Sequence, residues 1–248
     1  MPIPAKAFQR WLHGIAPNTS TSDICRVSGI KRTTLAQQLV RGKVAETTVV
    51  SISRAYNVNP VSALAAFDAY SQLADARPPT RSELVSQIST PDLLRAVLAR
   101  SAADPGGVPA AAAPAGSSAL DPAPHATSVK NWVEAIDDGE LRHRVSAATG
   151  IAPQNYSAQL TANRLAPELA FATSLAAGVG PASGLVATGL VTEAEAGWPP
   201  GARQSALDSL SEGELTTLAG DRLQTLGRAL RRQEHDHEKT EKIWENLG

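Results

Sequence analysis

Lys31, Arg32, Thr33, Thr34 and Gln37 crowd the start of one short segment of this chain. Lysine and arginine match the two acceptors on the major-groove edge of guanine, and glutamine matches the donor–acceptor pair of adenine. Threonine donates to a base or offers its methyl to thymine. Arg26, Arg41, Lys43 and Arg54 flank the segment and suit phosphate oxygens, which fix register without reading sequence. Residue types of this kind, gathered at one place, are what recognition of double-stranded DNA in its major groove would need. Charge points the same way. The 248-residue chain has a formal net charge of −1. Residues 1–70, however, hold eight lysines and arginines against three acidic residues, a local balance of +5. Positive charge concentrated on a near-neutral chain marks a polyanion site.

The segment occurs twice. Shifted by 121 positions, the chain matches itself without a gap from Trp11 to Phe67: Trp11 falls on Trp132, Gly29–Ile30 on Gly150–Ile151, Gln38–Leu39 on Gln159–Leu160 and Pro60 on Pro181. After a one-residue slip the match resumes, with Asp92–Leu93 on Glu214–Leu215 and Arg100 on Arg222. One module is therefore used twice, and self-similarity of this kind governs the whole architecture. In copy two the reading positions become Ala152, Pro153, Gln154, Asn155 and Ser157. Gln154, Asn155 and Ser157 keep base-reading chemistry, and Arg164, with Arg142 and Arg144, suits phosphates. Yet Asp137, Asp138 and Glu140 precede them, and residues 128–200 hold four basic against seven acidic residues, a balance of −3. Two readings of copy two stand: a second reader relying on hydrogen bonds, or a diverged copy kept for dimerisation or a protein contact.

Short, well-punctuated helices must position these residues. Phe8, Trp11, Leu12 and Ile15 predict an amphipathic opening helix. Ser22 is the expected cap of a helix ending near Val27, before the turn Ser28–Gly29–Ile30. A second helix is expected over Arg32–Val40, ending at Arg41–Gly42, and a third over Glu46–Tyr56. Pro60 opens the next at its first position, where a missing N–H costs nothing. Thr80 and Glu83 form a capping box, and Thr90–Pro91–Asp92 starts another helix. No strand is expected. Residues 101–128, rich in Ala, Pro and Gly, read as a flexible linker that buries nothing.

Residues 22–67 resemble the lambda-repressor-like helix-turn-helix class. A small residue stands four before the turn glycine, as Cys25 before Gly29 and Ser146 before Gly150. Apolar residues follow at Ile30 and Leu35, and at Ile151 and Tyr156. Arg41–Gly42 matches the end of the family's recognition helix, and Val50–Tyr56, Val58 and Pro60–Leu64 match its later signature. Gln38 departs from the pattern, which keeps an apolar side chain there. The resemblance implies an all-α fold: a helix-turn-helix DNA-binding module over 1–100, a linker over 101–128, and a second, diverged module over 129–248 with a long C-terminal helix. It implies a sequence-specific DNA-binding regulator. Two unlike readers in one chain also resemble the immunity repressors of actinobacterial temperate phages, which would make it a repressor of an asymmetric site. The alternative is a DNA-binding adaptor or antitoxin-like regulator whose second module holds a protein partner or dimerises.

Other chemistry is not expected. No P-loop, dinucleotide fingerprint, nucleophile elbow or zinc-ligand spacing occurs, so neither an enzyme nor a bound cofactor, metal or small-molecule substrate is predicted. The single cysteine, Cys25, reads as packing at a helix crossing and fits a reducing compartment. No apolar run approaches the length of a membrane span, so a cytoplasmic, nucleoid-associated protein is expected. From the capping box Ser211–Glu214 the pattern stays helical. Ala219, Leu226, Gln233, Thr240 and Leu247 share one heptad position, and Leu223, Leu230, His237 and Trp244 another. The polar members favour a solvated end helix, with homo-oligomerisation through it as the alternative. His235 and His237 are two apart, point to different sides of a helix, and read as surface residues.

Overall fold

The computed structural model describes residues 3–103 and 119–245; the middle of the expected linker, 104–118, lies outside them. Copy one comprises α1 (Ala5–Ile15), α2 (Thr21–Ser28), α3 (Arg32–Val40), α4 (Glu46–Ala55), α5 (Pro60–Ala65), a 3-10 segment (Asp68–Ala74), α6 (Arg81–Ser86) and α7 (Thr90–Ala103). Copy two comprises α8 (Ser128–Ile136), α9 (Leu141–Thr149), α10 (Pro153–Thr161), α11 (Pro167–Ala177), α12 (Ser183–Ala187), α13 (Ala202–Asp208) and α14 (Glu212–Glu245). Among the described residues the fold is all-α apart from one pairing. Ile3–Pro4 (β1) runs antiparallel to Lys43–Val44 (β2), with Ile3 opposite Val44. No strand was expected, because two residues on each side are too few to leave a period in the sequence. Among the described residues no helix is long and apolar enough to cross a membrane.

Local chemistry explains the boundaries. Ser20, rather than Ser22, caps α2, its hydroxyl accepting from the Asp23 backbone N–H at 3.1 Å. Asn59 caps α5 ahead of Pro60, and the capping boxes at Thr80–Glu83 and Ser211–Glu214 both form. The repeat is written in the backbone. Left-handed residues occur at 18, 29, 42 and 57 in copy one and at 139, 150, 163 and 178 in copy two, the same four places under the shift of 121. Each is glycine or asparagine, the residues that tolerate positive φ. The unexpected Gln38 also has a structural reason. Its side-chain oxygen accepts from the Ala45 N–H at 3.2 Å and the Thr48 hydroxyl at 3.0 Å, so it caps α4 from outside. Gln159 does the same for α11, accepting from the Ala166 N–H at 3.1 Å.

The two copies do not form successive domains. One compact unit comprises Met1–Gln87 with Pro122–Ala202, and the other Ile88–Asp121 with Arg203–Gly248. These compact units cut across the expected division at 1–100 and 129–248, which follows the repeat. In the first unit, Val50, Leu64, Tyr70 and Leu73 share one apolar core with Phe171, Leu185, Val191 and Trp198, and the Tyr70 and Phe171 rings lie 5.0 Å apart. Exchanges across it are reciprocal. Asn59, just after the 57 turn, donates to the Glu195 carbonyl at 2.9 Å, while Arg77 donates to the carbonyl of Gly178, at the matching turn, at 3.2 Å. Between them lies a cavity of about 40 Å³ lined by the matched pairs Val61 and Ala182, Asp75 and Ala196, Arg77 and Trp198. The copies are thus related by an approximate two-fold axis. In the second unit α7 packs along α14, and the Arg100 guanidinium donates to the carbonyls of Leu207 and Leu210.

The end of the expected linker is held. The Asp121 N–H donates to the buried Asp92 carboxylate at 2.9 Å, and the His125 ring meets the Ser86 carbonyl at 3.1 Å. Polar side chains do this work, which composition alone could not reveal. In α14, Leu215 and Ala219 are buried whereas Leu223, Leu226, Leu230, His235 and His237 are exposed. The side chains of Thr240, Trp244 and Leu247 lie outside the described residues.

Gly184 marks the tightest approach in copy two. A Cβ there would sit 2.2 Å from the Ala170 carbonyl oxygen, although copy one has Ala63 at the matching place. Gly184→Ala is expected to destabilise the first unit by about 3 kcal/mol through overpacking, read as a lower urea midpoint. An unchanged midpoint would refute that packing.

Candidate nucleic-acid interface

Ile24 and Cys25 of α2 are buried, as packing residues should be. Gly29, at φ 72°, turns the chain into α3. One side chain, Leu35, seats α3 and is fully buried. Gln38 and Leu39 are half-buried, and the rest of the helix stands in solvent. Lys31, Arg32, Thr33, Thr34 and Gln37 are all exposed. Lys31 is the extended N-cap residue and its side chain makes no cap, so the first N–H groups of α3 are left without a side-chain acceptor. That end of a helix attracts anions. Arg41 and Lys43 follow, both exposed, and in β2 Lys43 points outward because Val44 is buried beside Ile3. Among the described residues no carboxylate pairs with Lys31, Arg32, Arg41 or Lys43.

Two flanking arginines differ from these. Arg26 pairs with Asp23 at 3.2 Å, with its side chain 75% exposed. The Ser20 hydroxyl, and then Arg26, hold the Asp23 carboxyl below its ordinary range. An exposed i,i+3 pair is weak, so Arg26 can exchange it for a phosphate at little cost. Arg54, expected among the phosphate contacts, is engaged within the chain. It forms a two-pronged pair with Glu195, 2.7 Å at each contact, and donates to the Leu190 carbonyl at 3.0 Å. Arg54 thus braces copy one against copy two. The sequence could not show this, because its partner lies 141 residues away.

In copy two, Ala152, Pro153, Gln154 and Asn155 at the start of α10 are exposed, Ser157 is half-buried, and Arg164 is exposed. Tyr156 is fully buried and its hydroxyl meets Thr173 Oγ1 at 2.9 Å. Arg164 occupies the position of Lys43, so that one cation is kept in both copies. Arg144 is committed elsewhere, pairing with Asp138 at 2.9 Å and donating to the Ala176 carbonyl at 2.9 Å. That hydrogen bond from Arg144 holds the Asp138 carboxyl below its ordinary range. The acidic run before the motif is therefore partly neutralised by the chain itself. Reasoning from sequence had also missed Gln38, Gln159 and Glu195 as positioning residues. The signal for the glutamines was present, since each stands seven residues before the start of the next helix.

The Arg54 pair has a pH signature. Its hydrogen bonds hold the Glu195 carboxyl below the ordinary 4.5. A depressed carboxyl contributes its stability fully above pH 4.5 and loses it as pH falls through its lower folded-state value. Glu195→Gln is expected to cost about 1 kcal/mol at neutral pH, discounted because Arg54 is partly solvated. The gap from the parent should close in acid, followed by urea unfolding across pH; a gap that persists would contradict the pair's role. No family model matches the chain, and comparison with curated proteins and with solved structures gives no match, so function is argued from the chemistry of these residues.

Proposed function

We propose that this chain is a sequence-specific, double-stranded DNA-binding transcriptional regulator of the helix-turn-helix type, acting as a repressor through two unlike readers. The observation that carries the reading is the state of α3. Its first two turns and both flanks present four cations paired with no carboxylate and three base-reading side chains to solvent, on a helix seated by Leu35 with Leu39 beside it. A solvated basic face would need no such concentration of hydrogen-bonding types at one helix start. On this reading α3 enters the major groove with Arg32 and Gln37 toward base edges, and Arg41 and Lys43 hold phosphates. Arg26 joins them, whereas Arg54 keeps to Glu195.

Copy two supports a second reader with Gln154 and Asn155, anchored by Arg164. Because the copies face each other about an approximate two-fold axis, the half-sites should be inverted in orientation. Because Lys31–Arg32 is replaced by Ala152–Pro153, they should differ in sequence. Occupation of both half-sites by one chain would occlude a promoter without a second protomer.

Selection of bound duplexes from random DNA tests the reading, with affinity then followed against salt. Arg32→Ala is expected to cost about 1–3 kcal/mol on the selected site and to relax one base position. Lys43→Ala should weaken all sequences alike and lower the salt slope by about 1. Gln154→Ala with Asn155→Ala should relax only the second half-site. Equal losses on selected and random duplex for all three variants, or no duplex retained at low salt, would refute the proposal. Truncation of copy two is no substitute, because the copies share a core.

A further inference from the structure

The two copies differ in what covers the groove on their first helices, α1 and α8. In copy two, α6 lies on α8. The Trp132 indole N–H donates to Glu83 Oε1 at 3.3 Å, and the Gln87 amide donates to the Ser128 carbonyl at 3.3 Å. The linker end completes this roof, with Pro124 against Gly189: a Cβ on that glycine would come 2.7 Å from the ring. Ser128, Trp132 and Ala187 are fully buried beneath it, and Asn131 is 5% exposed. The matching positions in copy one are Ala7, Trp11, Ala66 and Arg10. There they line a groove of about 800 Å³ with Phe67 and Ala69, open among the described residues. Trp11 is only half-buried, its ring tilted against those of Phe8 and Phe67 with centroids 5.8 Å from each.

We propose that this groove on α1 is a docking site for a short helix of a separate protein partner, opened by a Ser/Thr-x-x-Glu capping box whose glutamate reaches the Trp11 indole N–H. The argument is internal to the molecule, because copy two shows what the same groove holds. Its occupant is a six-residue helix that begins with such a box, follows it with Leu84 and Val85, and seats a buried glutamate on the tryptophan. Charge selects the partner further. Where copy two has Thr127, Asn131 and Gly189, copy one has Lys6, Arg10 and Asp68, all exposed, a net gain of one positive charge, so the groove favours a more acidic helix than α6. In copy two the carboxylate is shared by Trp132 and the Thr80 cap; in copy one Arg10, where copy two has Asn131, would add a charge-assisted bond to it. The apolar floor, with one indole as anchor and a rim on which Lys6 and Arg10 outweigh Asp68, has the make-up of a small helix-in-groove site.

The probe is a fluorescein-labelled peptide of residues 79–88, held helical by a side-chain staple and titrated with the full chain by anisotropy. Copy two's groove is already filled by α6, so binding reports on copy one. The expected result is saturable micromolar binding, weakened about tenfold or more by Trp11→Ala in the chain and by Glu83→Gln in the peptide. Ala66→Arg, on the exposed rim, should give the same loss in a chain whose circular dichroism and melting are unchanged. No binding up to about 1 mM peptide would overturn the proposal, as would binding indifferent to both chain variants. A self-association seen by sedimentation that Ala66→Arg abolishes would also overturn it, by assigning the groove to a second copy.

Discussion

Phe171, Leu185, Val191 and Trp198 of the second copy close a core whose other walls are Val50, Leu64, Tyr70 and Leu73 of the first. Burial of a large apolar side chain stabilises by about 1.5–3 kcal/mol, so eight such residues on a common surface outweigh any contact at the rim. Neither copy can keep that surface dry alone. Each copy has the partner for its apolar face in the same chain, at a fixed local concentration. Arg54 and Glu195 then set the register of the pairing, and Arg77, Asn59 and the turns at 57 and 178 finish it. The candidate readers inherit their placement from this core: α3 rests on Leu35 and α10 on Tyr156, each fully buried.

Joining the two copies in one chain freed them to diverge. A homodimer must keep both readers identical, whereas here Lys31–Arg32 faces a counterpart of Ala152–Pro153 while the capping glutamines and the four left-handed positions persist. What both copies retain is what the fold needs. What they have changed is the surface, including the cations of copy one and the acidic residues of copy two. The grooves on α1 and α8 diverged in the same way, one covered by α6 and the other open.

Much of the helical order was legible in the sequence, because it is set by neighbours. Pro60, Thr80–Glu83 and Ser211–Glu214 fix their helix starts within four residues. Gly29 and Gly150 announce their turns. The exposed face of α3 was legible for a similar reason, since Leu35 and Leu39, four apart, mark a single inward stripe. The division into units was not legible. It depends on which apolar faces meet, and Val50 gives no local sign that it packs beside residues of the other copy. Arg54 failed for the same reason: a cation beside a basic segment looks like a phosphate ligand until a carboxylate 141 residues away is placed against it. The two-residue β1–β2 pairing and the ordered stretch from Asp121 to Ser128 are likewise fixed by distant partners.

Hydroxyl-radical footprinting of a selected duplex, with the bound stoichiometry measured by sedimentation, tests the central claim most directly. A single chain carrying two readers on one shared core should bind each duplex alone and protect two separate patches of backbone. Two chains per duplex, or one patch with the rest of the site uniformly cleaved, would contradict it.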